Sequence, residues 1–298
     1  MRVSQLLSRT AREFARAGLH YGHGTHNARE EAAWLISSVL GYLLEEEVEP
    51  EHLKKIELLA RRRIRERIPL AYLLKEAWLG EHSFYVDGRV IVPRSFIAEL
   101  LRERMRPWLS REPRHALDLC TGSGCLAVLL AHEFSNVRID AADLSPAALQ
   151  VTKINIAKYR MGKRIRAVRS DLFQSLKKRK YDLIVSNPPY VTARSMQKLP
   201  KEYRHEPSMA LAAGKDGLDL VHRIIEEAKD HLTPDGLLVC EIGGNRKALE
   251  RAYPRLEFAW PETSEGPGSV FILERGQLGA ASTAAPIQTF PMPSPRRG

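Results

Sequence analysis

The sequence predicts an α/β protein in which a small helical domain precedes a Rossmann-like, doubly wound sheet. Three observations lead to this fold class. Residues 1–78 carry apolar side chains at helical spacing. From residue 115 onward, short apolar segments alternate with helical ones, which is typical of parallel strands joined by crossover helices. Between these regions apolar residues recur with a period of two, as in a β-hairpin.

The first 78 residues are expected to form a helical, substrate-recognising domain. Asn27 is a suitable N-cap for the second helix, and Pro69 ends the third. The segment shows no catalytic constellation, and its histidines, His20, His23 and His26, are interpreted as loop residues. The three helices are predicted at about 6–19, 28–44 and 53–67.

The segment from Trp78 to Arg94 is expected to join the two domains. Its apolar residues alternate about Asp87-Gly88, a dipeptide that favours a two-residue hairpin turn. A helix from Phe96 to about Trp108 should follow. The hairpin and the second domain together are predicted to cover residues 79–275.

The first two strands of the second domain indicate a nucleotide-like cofactor. A buried strand, 116–119, leads into a turn in which Gly122 and Gly124 allow a ligand to approach the backbone at the carboxyl edge of the sheet. The second strand, 137–143, ends in Asp143, which is expected to accept both ribose hydroxyls. Asp140 is the alternative, although it falls within the strand. Ser145 is the better candidate to cap the next helix.

The next two strands place further polar groups on the same edge. The third strand, 165–169, leads to Asp171, which is expected to accept from an adenine amino group, while Leu172 or Phe173 covers the ring. The fourth strand, 181–185, runs into Asn187. Carboxyl ends of parallel strands meet at one edge, so we expect these groups to lie together. A helix at 218–232 and strands at 237–242 and 269–273 complete the domain.

The turn after the fourth strand is Asn187-Pro188-Pro189-Tyr190. Its prolines contribute no N–H donor, so Asn187 Oδ1 and the Pro188 carbonyl are free to accept from one planar –NH2 group. Such a group is a weak nucleophile because its lone pair is delocalised, and two acceptors help to localise and aim it. The electron-rich face of Tyr190 suits a cationic electrophile such as a methylsulfonium. The alternative is a purely structural role, in which this proline-rich turn ends a strand.

Charge and cysteine content indicate the environment and the partners. The net charge is +10, and the segment from Lys158 to Lys180 holds ten Lys/Arg against one acid. A basic surface there favours an acidic or nucleic-acid-bearing partner, with RNA contact as one possibility, and an ordinary solvated surface is the alternative. Three cysteines without a C-x-x-C motif predict no metal site and a reducing, cytoplasmic location. No membrane span is expected.

The chain after Arg275 differs in composition from the rest. It consists largely of Gly, Ala, Ser, Thr and Pro with little apolar periodicity. The interpretation is a disordered tail, 276–298.

These motifs resemble the class I S-adenosylmethionine-dependent methyltransferases, and more narrowly the HemK-type glutamine methyltransferases, over roughly residues 1–275. The resemblance implies direct in-line methyl transfer to a glutamine side-chain amide without a metal. It implies that Asn187, Pro188, Pro189 and Tyr190 bind that amide, with Asn187, Pro188 and Tyr190 as the catalytic residues. The implied S-adenosylmethionine site consists of Asp118, Thr121, Gly122, Ser123, Gly124, Asp143, Asp171, Leu172 and Asn187.

Two segments resemble one branch of that family. The release-factor enzymes carry an I-P-R-P-D-T-E-like segment, whereas this chain has V-P-R-S-F-I-A-E-L at 92–100 and G-H-G-T-H-N at 22–27. Both resemble the branch that methylates ribosomal large-subunit protein three, although Phe96 stands where a proline is expected. The implied partner is a ribosomal protein, either free or within an assembling ribosome.

Three alternatives to this function are left open. The first is the glutamine methyltransferase of peptide release factors. The second is an enzyme that methylates an exocyclic amine of a nucleic-acid base, because an Asn-Pro-Pro-Tyr turn also occurs there. The third is a ribosome-binding factor with an inactive methyltransferase fold, against which the intact Asn187 and glycine turn argue.

Overall fold

The computed structural model of the protein describes residues 1–41 and 47–279. The N-terminal part is helical and has its own apolar core, which includes Leu6, Phe14 and Leu35. Asn27 caps the second helix as predicted, because its Oδ1 accepts from the backbone N–H groups of Arg29 and Glu30. The helices are α1 (Val3–Arg16), α2 (Ala28–Leu40), α3 (Pro50–Glu66) and α4 (Leu70–Leu74).

The hairpin predicted at Asp87-Gly88 is wrong. The observed hairpin pairs β1 (Ala77–Leu79) with β2 (His82–Phe84). The segment after it does not pair with another strand. A turn forms at Asp87-Gly88, where Val90 N donates to Asp87 O (3.1 Å), and side chains satisfy other backbone groups of the segment. Asn155 accepts from Tyr85 N (2.7 Å) and donates to Tyr85 O (3.0 Å), and Val92 N donates to Glu206 Oε1 (3.0 Å). The alternating residues are nevertheless buried, namely Phe84, Val86, Val90 and Val92.

A six-stranded sheet forms the centre of the second domain, which confirms the predicted doubly wound α/β fold. The strands lie in the order β5-β4-β3-β6-β7-β8, and all pairs are parallel except β7 with β8. Successive strands are added on one side of β3 up to β5 and then on its other side from β6 onward. Ligands bind at such a topological switch point, here between β3 and β6. The strands are β3 (His115–Leu119), β4 (Arg138–Asp143), β5 (Ile165–Arg169), β6 (Tyr181–Ser186), β7 (Leu232–Glu241) and β8 (Val270–Glu274).

Helices cover both faces of this sheet, and each face has a buried apolar core. Ser145 caps the helix that follows β4, as predicted, since its Oγ accepts from Ala148 N. The helix predicted at 96–108 ends at Arg102, because Arg104 and Met105 adopt left-handed backbone conformations. The helices are α5 (Ile97–Arg102), α6 (Cys125–Glu133), α7 (Pro146–Lys158), α8 (Ala193–Met196), α9 (Asp219–Ala228) and α10 (Arg246–Ala252).

The folded domain extends past the boundary predicted at Arg275. Leu278 is 3% exposed and packs in the core on the α9 side of the sheet. Residues 276–279 therefore belong to the folded domain rather than to a tail. The remainder of the predicted tail, 280–298, lies outside the described residues.

Candidate active site

The turn after β3 and the end of β4 form one side of the site. Asp143 Oδ2 accepts from Gly122 N (2.9 Å), and its Oδ1 accepts from Ser145 N (2.8 Å). A Cβ placed on Gly122 would meet no atom within 4 Å, so this glycine leaves open space for a ligand. Burial raises the pKa of Asp143, while the backbone N–H donors oppose that effect. The carboxylate is thus positioned by the turn and retains lone pairs for ribose hydroxyls.

A cavity of about 120 Å³ opens beside this turn. Its lining includes Gly122, Asp143 and Asn187, which brings together three of the predicted residues. Leu144 and Met209 also line it and are 49% and 55% exposed, which is unusual for large apolar side chains. Apolar walls with a few polar groups suit a nucleoside. The residues present therefore fit S-adenosylmethionine.

Other residues of the predicted cofactor site lie behind the turn rather than on the cavity. Asp118 is 1% exposed, and its Oδ2 accepts from Thr121 Oγ1 and from Ala127 N. Burial raises the pKa of Asp118 to about 7. Ser123 is buried, and its backbone carbonyl accepts from Asn155 Nδ2. In this arrangement Asp118, Thr121 and Ser123 hold the shape of the turn. Gly124 keeps the turn close to α7, because a Cβ there would lie 2.8 Å from Thr152 Cγ2.

The residues predicted to hold the adenine ring are not brought to the cavity. Asp171 Oδ1 lies 3.0 Å from Arg223 Nη2 on α9, so its carboxylate is engaged in an ion pair. Leu172 is 5% exposed and packs in the core. Leu220 of α9 lines the cavity instead. The assignment of Asp171 and Leu172 to the adenine ring stays a prediction.

Asn187 is anchored in a single orientation. Its Nδ2 donates to the backbone oxygen of Arg94 at 3.0 Å. Because the side-chain amide is planar, this bond also fixes the position of Oδ1. Oδ1 is therefore left available as the acceptor that the predicted role requires.

A second cavity of about 190 Å³ adjoins the first. Asn187, Pro188, Pro189 and Tyr190 all line it, together with Arg94 and Tyr203 among others. Asn187 and Pro189 line both cavities. A methyl donor bound in the first cavity and a methyl acceptor bound in the second would therefore meet at Asn187, the central residue of the predicted site.

Tyr190 is held in place by groups that the sequence did not single out. Its hydroxyl donates to Glu241 Oε1 (3.2 Å), while Glu241 Oε2 accepts from Ser95 Oγ (2.6 Å) and Phe96 N (3.0 Å). Burial raises the pKa of Glu241 to about 7. A Cβ on Gly243 would lie 2.8 Å from the Tyr190 ring. The signal for Glu241 was present: it is a lone acid at the end of an apolar strand.

An ion pair between Arg94 and the buried carboxylate of Glu206 supports the anchor of Asn187. Arg94 Nη1 and Nη2 donate to Glu206 Oε1 and Oε2, each at 2.7 Å. His23, from the helical domain, is 5% exposed and has its Nε2 at 3.6 Å from Glu206 Oε1. Burial lowers the pKa of His23 to about 4, so it is neutral at pH 7. Tyr203 packs against both His23 and Arg94. His23 is a loop residue, as predicted, but it is a buried contact between the domains.

Replacing Glu206 with glutamine is expected to lower kcat while leaving cofactor affinity unchanged. The substitution removes the charge that holds Arg94, whose backbone oxygen anchors Asn187. A misplacement of catalytic groups by about 1 Å costs on the order of 10²-fold in rate, so a roughly 10- to 100-fold decrease is expected. Single-turnover assays and calorimetry with S-adenosylmethionine measure the two quantities. Glu66→Gln, at an exposed surface pair with Arg62, is the matched control. A loss confined to KM would contradict the positioning role.

Comparison with known proteins is consistent with this geometry. Residues 96–202 match the family model described as methyltransferase small domain. A crystal structure of the hMettl16 catalytic domain in complex with a MAT2A 3′UTR hairpin shares the fold. The superposition covers 81% of this chain and 91% of the hMettl16 chain, with a TM-score of 0.52 and 15% sequence identity. This likeness concerns the fold alone.

Relatives of higher identity identify the family. A ribosomal protein uL3 glutamine methyltransferase of Neisseria meningitidis is 49% identical over 286 residues, or 93% of this chain and 94% of the relative. The protein of the same name from Burkholderia pseudomallei is 45% identical over 297 residues, or 94% and 96% of the two chains. The chain belongs to the uL3 glutamine methyltransferase family.

Membership of the uL3 glutamine methyltransferase family confirms the predicted branch of the HemK-type enzymes. The protein is a methyltransferase, and S-adenosylmethionine is its cofactor. Phe96, which stands where a proline was expected, does not change this assignment. Its contact with the site is made by the backbone, since its N–H donates to Glu241 Oε2.

Proposed function

We propose that the protein transfers the methyl group of S-adenosylmethionine to the side-chain amide nitrogen of a glutamine in ribosomal protein uL3. The observation that carries this proposal is the meeting of two cavities at Asn187, in a chain 45–49% identical to relatives of that name. The cavity beside Asp143 takes the cofactor, and the cavity along Pro188 and Tyr190 takes the glutamine side chain.

The chain's own residues supply positioning and electrostatics. Asn187 Oδ1 and the Pro188 carbonyl accept the two N–H groups of the substrate amide, which aims the nitrogen lone pair at the neighbouring cavity. The bound cofactor supplies an electrophilic methyl group on a sulfonium. Tyr190 presents its ring to that positive charge. The nitrogen–methyl bond forms as the sulfur–methyl bond breaks, and one amide proton leaves to water. Most of the rate gain comes from orientation in a site with fixed dipoles.

Methyl transfer with purified components tests the substrate. The chain is incubated with methyl-labelled S-adenosylmethionine and, in separate reactions, with uL3, a peptide release factor or an adenine-containing RNA. Mass spectrometry should find one added methyl on a glutamine of uL3, and uL3 from a strain lacking the protein should lack it. Methylation of the release factor with uL3 unmodified would favour the alternative branch. Methylated RNA would favour the base-modifying alternative.

We further propose that the enzyme works in the cytoplasm on uL3 that is free or within an assembling ribosome. Its three cysteines, Cys120, Cys125 and Cys240, are free, which suits a reducing compartment. Over residues 1–41 and 47–279, no helix is both long and apolar enough to traverse a bilayer. Contact of the segment from Lys158 to Lys180 with RNA is part of this proposal.

A further inference from the structure

A second cleft lies at the opposite edge of the sheet from the candidate active site. It has a volume of about 620 Å³, and the first residues of four strands line it: His115, Arg138, Ile165 and Tyr181. The cofactor and glutamine cavities lie at the carboxyl ends of the strands. Because five- or six-residue strands are about 20 Å long, this cleft is a separate site.

Positive charge dominates the cleft. Among its lining residues the only carboxylate is Asp140. The cations are Arg138, Lys163, Arg164, Arg166, Arg179 and Lys180. Five of these cations belong to the segment 158–180, and the fold brings its two ends together with Arg138, the first residue of β4. A concave, positively charged surface focuses the field and attracts polyanions.

Asp140 organises two of these cations without using all of their donors. Its Oδ1 accepts from Arg166 Nε (2.9 Å), and its Oδ2 accepts from Arg179 Nη1 (2.8 Å) and from the Tyr181 hydroxyl (2.7 Å). Asp140 is 6% exposed, whereas the side chains of Arg166 and Arg179 are about half exposed. The guanidinium groups are therefore held in place with further N–H groups available to an anion. These contacts engage Asp140, the alternative ribose ligand, away from the cavity beside Asp143.

The geometry points to the phosphodiester backbone of RNA as the ligand: we propose that this basic cleft docks the enzyme on the ribosomal RNA that carries its protein substrate. The four strand starts span about 15 Å along the sheet edge at the spacing of neighbouring strands, which suits several successive phosphates better than one small anion. Tyr181 is 3% exposed and offers no face for base stacking, which leaves His115 as the one exposed ring among the lining residues. Six cations line the same cleft, so recognition is mainly through phosphates. This inference rests on the proposed ribosomal substrate.

RNA binding by a pair of cleft variants tests the proposal. Arg138→Gln with Lys163→Gln removes two cations that are exposed and outside the Asp140 network, so folding should be preserved. The control is Lys54→Gln with Lys55→Gln, which removes the same charge from the exposed surface of α3 in the helical domain. Binding of a labelled RNA duplex of about 20 base pairs, comparable to the span of duplex-binding domains, is measured at about 50 and 200 mM salt without cofactor or uL3.

The cleft pair should weaken RNA binding by roughly tenfold at low salt and reduce the log–log salt slope by about 1–2, as expected for two lost phosphate contacts. The control pair should change affinity by less than about twofold, because charges beyond a Debye length are screened. Methyl transfer to isolated uL3 should be the same for all forms.

Several results would overturn the docking site. They are equal losses for both pairs, no RNA binding by the unmodified protein at low salt, displacement of RNA by micromolar pyrophosphate, or binding of anionic vesicles in place of RNA. Failure of the unmodified enzyme to methylate uL3 would instead refute the proposed function, and the RNA measurement would stand by itself.

Discussion

Replacing Asn187 with alanine is expected to abolish nearly all methyl transfer while leaving cofactor affinity within a few-fold. The substitution removes the oxygen proposed to orient the substrate amide, and it removes the bond to Arg94 O. Loss of one oriented active-site group costs on the order of 10²–10³ in rate. Single-turnover transfer to uL3 and calorimetry with S-adenosylmethionine measure the two effects. Near-normal transfer by Asn187→Ala would show that this turn does not orient the nucleophile.

Asn187→Asp retains an acceptor oxygen but removes the anchoring hydrogen bond to Arg94 O. Aspartate keeps an acceptor oxygen, but it has no N–H to donate to Arg94 O, and an oxygen would face that carbonyl at about the present 3.0 Å. Its charge would also lie beside the sulfonium and the entering amide. We therefore expect most turnover on uL3 to be lost with cofactor affinity retained. The variant should also be assayed on adenine-containing RNA, because base-modifying enzymes often use aspartate at this position.

Replacing Asp143 with alanine should have its largest effect on the cofactor. The carboxylate accepts from the backbone N–H groups of Gly122 and Ser145 beside the cavity. Its loss would remove the proposed ribose acceptors and loosen the glycine turn. Hydrogen bonds to a charged group are worth about 1.5–3 kcal/mol, which corresponds to a roughly 10- to 150-fold weaker Kd. Calorimetric titration with S-adenosylmethionine checks the value.

Asp140→Asn is the matched control for Asp143→Ala. Asp140 was the alternative ribose ligand at the level of sequence, and it lies at the other edge of the sheet with Arg166 and Arg179. Its replacement should lower thermal stability without changing cofactor affinity. A weaker Kd for Asp140→Asn together with an unchanged Kd for Asp143→Ala would reverse the assignment.

The positions of the central site residues were predictable from the sequence because they depend on local rules. Parallel strands bring their carboxyl ends to one edge, so Gly122, Asp143 and Asn187 had to lie near each other once the strands were recognised. The caps at Asn27 and Ser145 were predictable for the same reason, since a cap bonds within three residues of itself. The chemistry of the Asn187 turn likewise follows from adjacent residues.

The environment of those residues was decided by tertiary structure. Arg94 pairs with Glu206, 112 positions away, and Glu241 receives Ser95 and Tyr190 from two other segments. The predicted hairpin failed because Asn155 and Glu206 satisfied backbone groups that alternation alone assigned to a partner strand. By itself, the sequence determined the sheet, the glycine turn and the asparagine that we propose binds the nucleophile. Only the fold decided how that asparagine is anchored and where the basic residues converge, because both depend on contacts between segments distant in the chain.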